Sequence, residues 1–179
     1  MDKNFFKRIR ILDGGMGQFL LSKGIISKGS LWSSAALINN EYHKYVIDAH
    51  LSFINSGADV ILTNSFACRK VRLEKNNAGR LFEYTNKMAG ELASKARENS
   101  KKNILIAGSL PAQNDTYCED NRDDKIIYEN FRDQAKILNP YIDFFYLDVI
   151  SSSKELNIAL EAIDKFNKPV LFGIHFKKD

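Results

Sequence analysis

Five apolar-rich runs in this 179-residue chain each end on a polar residue. Asp13 follows residues 9–12, Thr63 with Asn64 follows 58–62, Ser109 follows 104–108, Asp148 follows 142–147 and His175 follows 170–174. Polar side chains at the carboxyl ends of otherwise apolar strands are the pattern of a site for a small polar ligand, and they leave the reaction open. Asp13 stands out because Gly14, Gly15 and Gly17 follow it at once. Glycine has no Cβ and tolerates positive φ, so backbone amides there can approach a ligand beside the carboxylate. The same letters also describe a plain strand-to-helix turn. Company at the other strand ends favours a site for Asp13 and Asp148. Ser109 reads equally well as a helix cap, and His175 as a solvated side chain. Cys68 reads as a small buried hydrophobe and Trp32 as a core anchor that could line a pocket. Cys118, in a polar stretch, has no evident role.

Alternating strand and helix patterns position these residues. Strands are expected at 8–12, 58–63, 103–107, 142–147 and 169–174. Between them, Tyr42, Tyr45, Val46, Ala49 and Phe53 mark one buried helix face, closed by Gly57. Leu81, Tyr84, Met88, Leu92 and Ala96 mark a second helix, and Ile127, Phe131, Ala135 and Leu138 a third, stopped by Pro140. Ser152 and Glu155 fit a capping box opening a fourth, continued by Leu156, Ala159, Leu160 and Ile163. This is βα four times and one more strand. The fold class is therefore α/β with a parallel sheet, either about the first half of a (β/α)₈ barrel or an open doubly wound sheet. A full barrel takes about 250 residues.

The length supports one core and one domain, residues 1–179. A net charge of +4 with both signs mixed, and no basic stripe, argues against nucleic-acid binding. No run approaches a membrane span of about 20 apolar residues, and residues 1–8 lack the apolar core of a signal peptide. Two cysteines fifty positions apart form neither a disulfide framework nor a zinc motif, as in a reducing, cytoplasmic setting.

Residues 11–17 with 31–35, then 56–66, 107–111 and 143–148, resemble in order the homocysteine S-methyltransferase family. The resemblance implies a TIM-type barrel that binds homocysteine and zinc at its strand ends. Zinc makes the thiolate, which takes a methyl group from a small donor to give methionine. It implies that Asp13, Gly14 and Gly15 hold the amino-acid end of homocysteine, with Thr63, Asn64 and Asp148 lining the same pocket. The family usually carries glutamate where this chain has Asp148, one methylene shorter. Its zinc cysteines lie on later strands, so the chain is expected to be truncated after the fifth strand, with no metal ligand of its own and little activity alone. A second chain or self-association would complete the barrel. The alternatives are a non-catalytic module binding a small amino acid, and a decayed relative with no ligand.

Overall fold

A computed structural model describes residues 4–25 and 29–176. Met1, Asp2 and Lys3, part of the stretch examined for a signal peptide, lie outside the described residues. The helices are α1 (Met16–Ser22), α2 (Ala35–Ile38), α3 (His43–Asn55), α4 (Lys70–Glu74), α5 (Phe82–Ser100), α6 (Asp124–Leu138) and α7 (Ser153–Asp164). The strands are β1 (Val60–Leu62), β2 (Leu105–Pro111), β3 (Phe144–Ile150) and β4 (Val170–Ile174). They form one parallel sheet in the order β1-β2-β3-β4. A spatial order that follows the chain without reversing is barrel-type winding; a doubly wound sheet switches direction.

Strand side chains alternate between two faces. Ile61, Ile106, Leu110, Phe145 and Leu147 meet Phe131, Leu138, Ala159 and Ile163 of the helices in the main core. Val60, Ala107 and Phe144 form the opposite, inner layer, with Phe5, Leu62, Tyr146 and Leu171 against them. That inner face leads upward to the carboxyl ends of the strands. Its margins stay open: Ile11 is 55% exposed and Ile174 45%.

Several local expectations hold for the reasons given. Ile127, Phe131, Ala135 and Leu138 are all fully buried on α6, and Pro140 sits in the turn that ends it. Gly57, at φ 108°, closes α3 while Ala58 N–H donates to Phe53 O and Gly57 N–H to Ile54 O, a Schellman cap.

Others are corrected. The segment 8–12 is no strand; a single bridge joins Leu12 to Val60, and Ile9 is 95% exposed, with no second neighbour to bury it. β2 and β3 run on to Pro111 and Ile150, because Pro111 pairs with Asp148 where glycine and proline suggested an end. The buried face of α5 is Thr85, Ala89, Leu92, Ala93 and Ala96, which leaves Tyr84 40% exposed. Ser152 caps α7 by accepting from Glu155 N–H. The Glu155 carboxylate, however, does not return to the cap; buried across the loop, it accepts from Gln113 N–H.

One backbone feature bears on the site. The β3–β4 register slips between Leu147 and Ile150, and Val149 in the bulge adopts φ 58°. A β-branched residue in the left-handed region is strained by about 1–3 kcal/mol. The bulge separates Asp148 on the inner face from Ile150 in the main core. Replacing Val149 with glycine should therefore raise stability by about 1 kcal/mol in urea denaturation, against the usual loss for glycine in a strand.

Candidate functional site

Asp13 is placed by its neighbours on β1. The Asp59 carboxylate accepts from Ile11 N–H at 2.9 Å and from Arg10 at 3.3 Å, while Asp59 and Val60 amides donate to Ile11 O. This pins the segment beside β1. At the next rung the Asp13 carboxylate replaces a backbone carbonyl: Leu62 N–H donates to its Oδ2 at 2.9 Å. The backbone is thereby released into α1 and the acid is fixed at the end of the strand.

Gly14, Gly15 and Gly17 do not use the positive φ that glycine permits; Gly14 and Gly17 serve close packing instead. A Cβ on Gly14 would stand 2.7 Å from the Phe53 ring, and one on Gly17 2.1 Å from the Trp32 indole. Trp32, itself at φ 49° and 42% exposed, lies over α1 and lines the pocket; it is no core anchor.

All six residues expected from the sequence, Asp13, Gly14, Gly15, Thr63, Asn64 and Asp148, line one cavity of about 220 Å³ at the carboxyl end of the sheet. Trp32, Phe66 and Ser109 complete much of its wall. The side chains of Thr63 and Asn64 are committed to structure. Thr63 Oγ1 accepts from Ser109 N–H at 3.1 Å and donates to Ser65 Oγ, which in turn donates to Ser109 O. Asn64 Nδ2 donates to Ser33 O, tying down the loop that carries Trp32. Ser109 caps no helix: it lies within β2, and its buried Oγ has no partner. His175 is outside the cavity, its ring edge-on to Tyr117.

The electrostatics are dominated by two acids in a confined space. Burial pushes Asp13 up to about 7, aided by the nearby Asp148 charge and opposed by the Leu62 hydrogen bond. Burial also pushes Asp148 up to about 6. Among the described residues, no lysine or arginine lines the cavity. A cation entering it would meet two groups ready to ionise against it.

Sequence reasoning passed over His50. It lies one turn before Phe53 on the face of α3 that meets residues 13 and 14. It is fully buried, neither ring nitrogen has a hydrogen-bond partner among the described residues, and Nδ1 is 3.9 Å from Asp13 Oδ2. A histidine among the apolar positions of an amphipathic helix was the available signal.

The described residues do not fit the zinc that the resemblance implies. Among them, no group of three or more His, Cys, Asp or Glu side chains is placed to hold a metal ion. Cys68 Sγ is buried against Asn64 O, and burial pushes its thiol up to about 12, away from the thiolate a metal requires. Cys118 is exposed and outside the cavity. Also among the described residues, no helix is long and apolar enough to cross a membrane.

Raised carboxyl values make a stability prediction. Asp148 shifts from 3.8 to about 6, so its contribution is intact below about 4 and is lost as pH rises through about 6. Asp148→Asn should remove part of the decline in stability between pH 4 and 8. Allowing for partial solvent screening, it should leave the variant about 1–2 kcal/mol more stable at pH 8 by chemical denaturation.

Comparison with known proteins matches the model of the homocysteine S-methyltransferase family to residues 10–179. The chain is 28% identical over 159 residues to S-methylmethionine–homocysteine S-methyltransferase BHMT2 of Rattus norvegicus, covering 88% of this chain and 40% of that protein. It is 28% identical over 89 residues to homocysteine S-methyltransferase 2 of Saccharomyces cerevisiae, covering 45% of this chain and 27% of that one. Its fold is similar to the metallated form of the homocysteine methyltransferase MmuM from Escherichia coli, with TM-score 0.80 and 19% identity over 95% of this chain and 65% of that one. The chain thus spans about two fifths of the rat relative's length.

Proposed function

The chain belongs to the homocysteine S-methyltransferase family, and from that premise we propose that its cavity holds the amino-acid end of homocysteine as methyl acceptor. One observation carries the reading: Asp13 and Asp148 converge on a small cavity whose floor is backbone freed of side chains by Gly14 and Gly15. The α-ammonium group of an amino acid is the complement of two carboxylates, and exposed backbone amides complement its carboxylate. Trp32 and Phe66 offer apolar wall to the thioalkyl chain. Ser109 Oγ, buried and unpartnered, offers a further polar contact. Asp148, one methylene shorter than the glutamate that the resemblance implies, supplies the same charge to the cavity wall.

Methyl transfer asks more than binding. A thiol is the weak form of the nucleophile, and two acidic groups nearby disfavour its ionisation. Among the described residues, no cationic side chain lines the cavity to counter this. The residues described here therefore hold the acceptor without activating its sulfur. The methyl donor, most of the thiol-activating chemistry and any second chain or segment completing the ring of strands lie beyond this cavity. The open sheet margins at Ile11 and Ile174 are where such a segment would pair.

Calorimetry at pH 8 tests the reading. L-homocysteine and L-methionine should bind, with 4-mercaptobutanoate, which lacks the ammonium group, at least about tenfold weaker. Asp13→Asn should reduce amino-acid affinity by a similar factor. A zinc-supplemented assay with S-methylmethionine should give little or no methionine from this chain alone. Equal affinity for the analogue without an amine would overturn the placement, and zinc-dependent turnover would overturn the limit on activity.

A further inference from the structure

His50 poses a problem that packing alone does not answer. A fully buried imidazole with both nitrogens unpaired is costly, and buried polar atoms are nearly always hydrogen-bonded. The acceptor facing it is Asp13 Oδ2, 3.9 Å from Nδ1. That is longer than a hydrogen bond, but contacts of this kind are often slack in an unliganded site and tighten when it is loaded. Among the described residues, the groups that face the Asp13 carboxylate are His50 from α3, Asp148 from β3, the Leu62 amide from β1 and Asp13's own backbone amide. Asp59, the other acid nearby in the fold, is committed to Ile11 and Arg10.

We propose that His50 is a positioning residue for Asp13: its Nδ1–H turns to Oδ2 and, with the Leu62 amide, holds the carboxylate so that Oδ1 faces the ammonium group of the bound amino acid. The inference rests on the amino-acid reading of the cavity and adds a residue to it. Leu62 N–H already donates to Oδ2, so when Asp13 is protonated the acid proton belongs on Oδ1. Oδ2 then remains an acceptor in both states. Burial lowers His50 to about 4, so from pH 5 to 8 the ring is neutral, with one donor and one acceptor nitrogen. Facing an oxygen that only accepts, Nδ1 carries the hydrogen and Nε2 is bare. As the ammonium enters, the Oδ1 proton passes to solvent, while the two donors on Oδ2 keep the carboxylate from rotating away.

Nitrogen-15 spectra of the labelled chain, with His50 assigned by its loss in the His50→Asn variant, read the tautomer directly. The Nδ1–H form is expected across pH 5 to 8, with a shift of Nδ1 on saturation by L-methionine. An Nε2–H tautomer, or an imidazolium forming within that range, overturns the proposal. Calorimetry with L-methionine at pH 8 gives the second readout. His50→Leu, which removes the donor, should weaken binding about five- to tenfold. His50→Asn, whose amide can donate from near the Nδ1 position, should stay within about twofold of the parent. Unchanged binding in the leucine variant, or equal losses in both variants, contradicts a positioning role. If the parent chain binds neither L-methionine nor L-homocysteine at any pH, the amino-acid reading itself fails, and the tautomer spectrum still judges the His50–Asp13 contact.

Discussion

The hydrogen bond from Leu62 N–H to the Asp13 carboxylate is the constraint on which the rest of the site depends. A side chain occupies the place in the parallel ladder that a backbone carbonyl would fill. The chain is therefore free to leave the sheet at Gly14 while the acid stays at the strand's end. Once residues 13 and 14 are fixed, Phe53 can close on Gly14 only because no Cβ intervenes, and that contact seats α3 with His50 behind the acid. Trp32 closes on Gly17 in the same way. Glycines that look made for unusual dihedrals are used for close approach.

The site is arranged against its own stability. Two carboxyl groups are held where burial resists their ionisation, and His50 is held without partners. Val149 sits in a left-handed conformation beside Asp148. Features of this kind cost folding free energy and persist where surrounding packing over-determines them. Here the surroundings are the fully buried Phe145, Leu147 and Phe131 on the opposite face of the sheet. An ammonium ion is the species that relieves the strain of the two acids, since it makes their charged forms favourable. On the proposed reading, a preference for a cationic group would follow from how poorly the cavity tolerates its own negative charges.

Much of this was legible from sequence where local pattern and tertiary environment agree. The apolar run that ends before Thr63 and the 127–131–135–138 face of α6 follow from periodicity, and the resemblance to a known family rests on blocks of the same kind. Legibility failed where a distant partner decides the outcome. Residues 8–12 have strand composition, but a strand needs a run of paired neighbours, and among the described residues a single bridge, Leu12 to Val60, is formed. β2 continues through Gly108 and Pro111 because β3 pairs with it, which no local rule reveals. Glu155 was read from its spacing to Ser152, yet its carboxylate serves Gln113 across the loop. His50 carried a signal, a polar residue on an apolar helix face, that becomes meaningful only when Asp13 arrives from 37 positions earlier in the chain.

On the proposed reading, an amino acid's ammonium group binds by ionising two acids that burial keeps largely or partly protonated near neutral pH. Calorimetric titration of L-homocysteine at pH 6.5, in two buffers of different ionisation enthalpy, counts the protons set free. With Asp13 at about 7 and Asp148 at about 6, about one proton should be released per bound ligand. Binding with no proton release would contradict it.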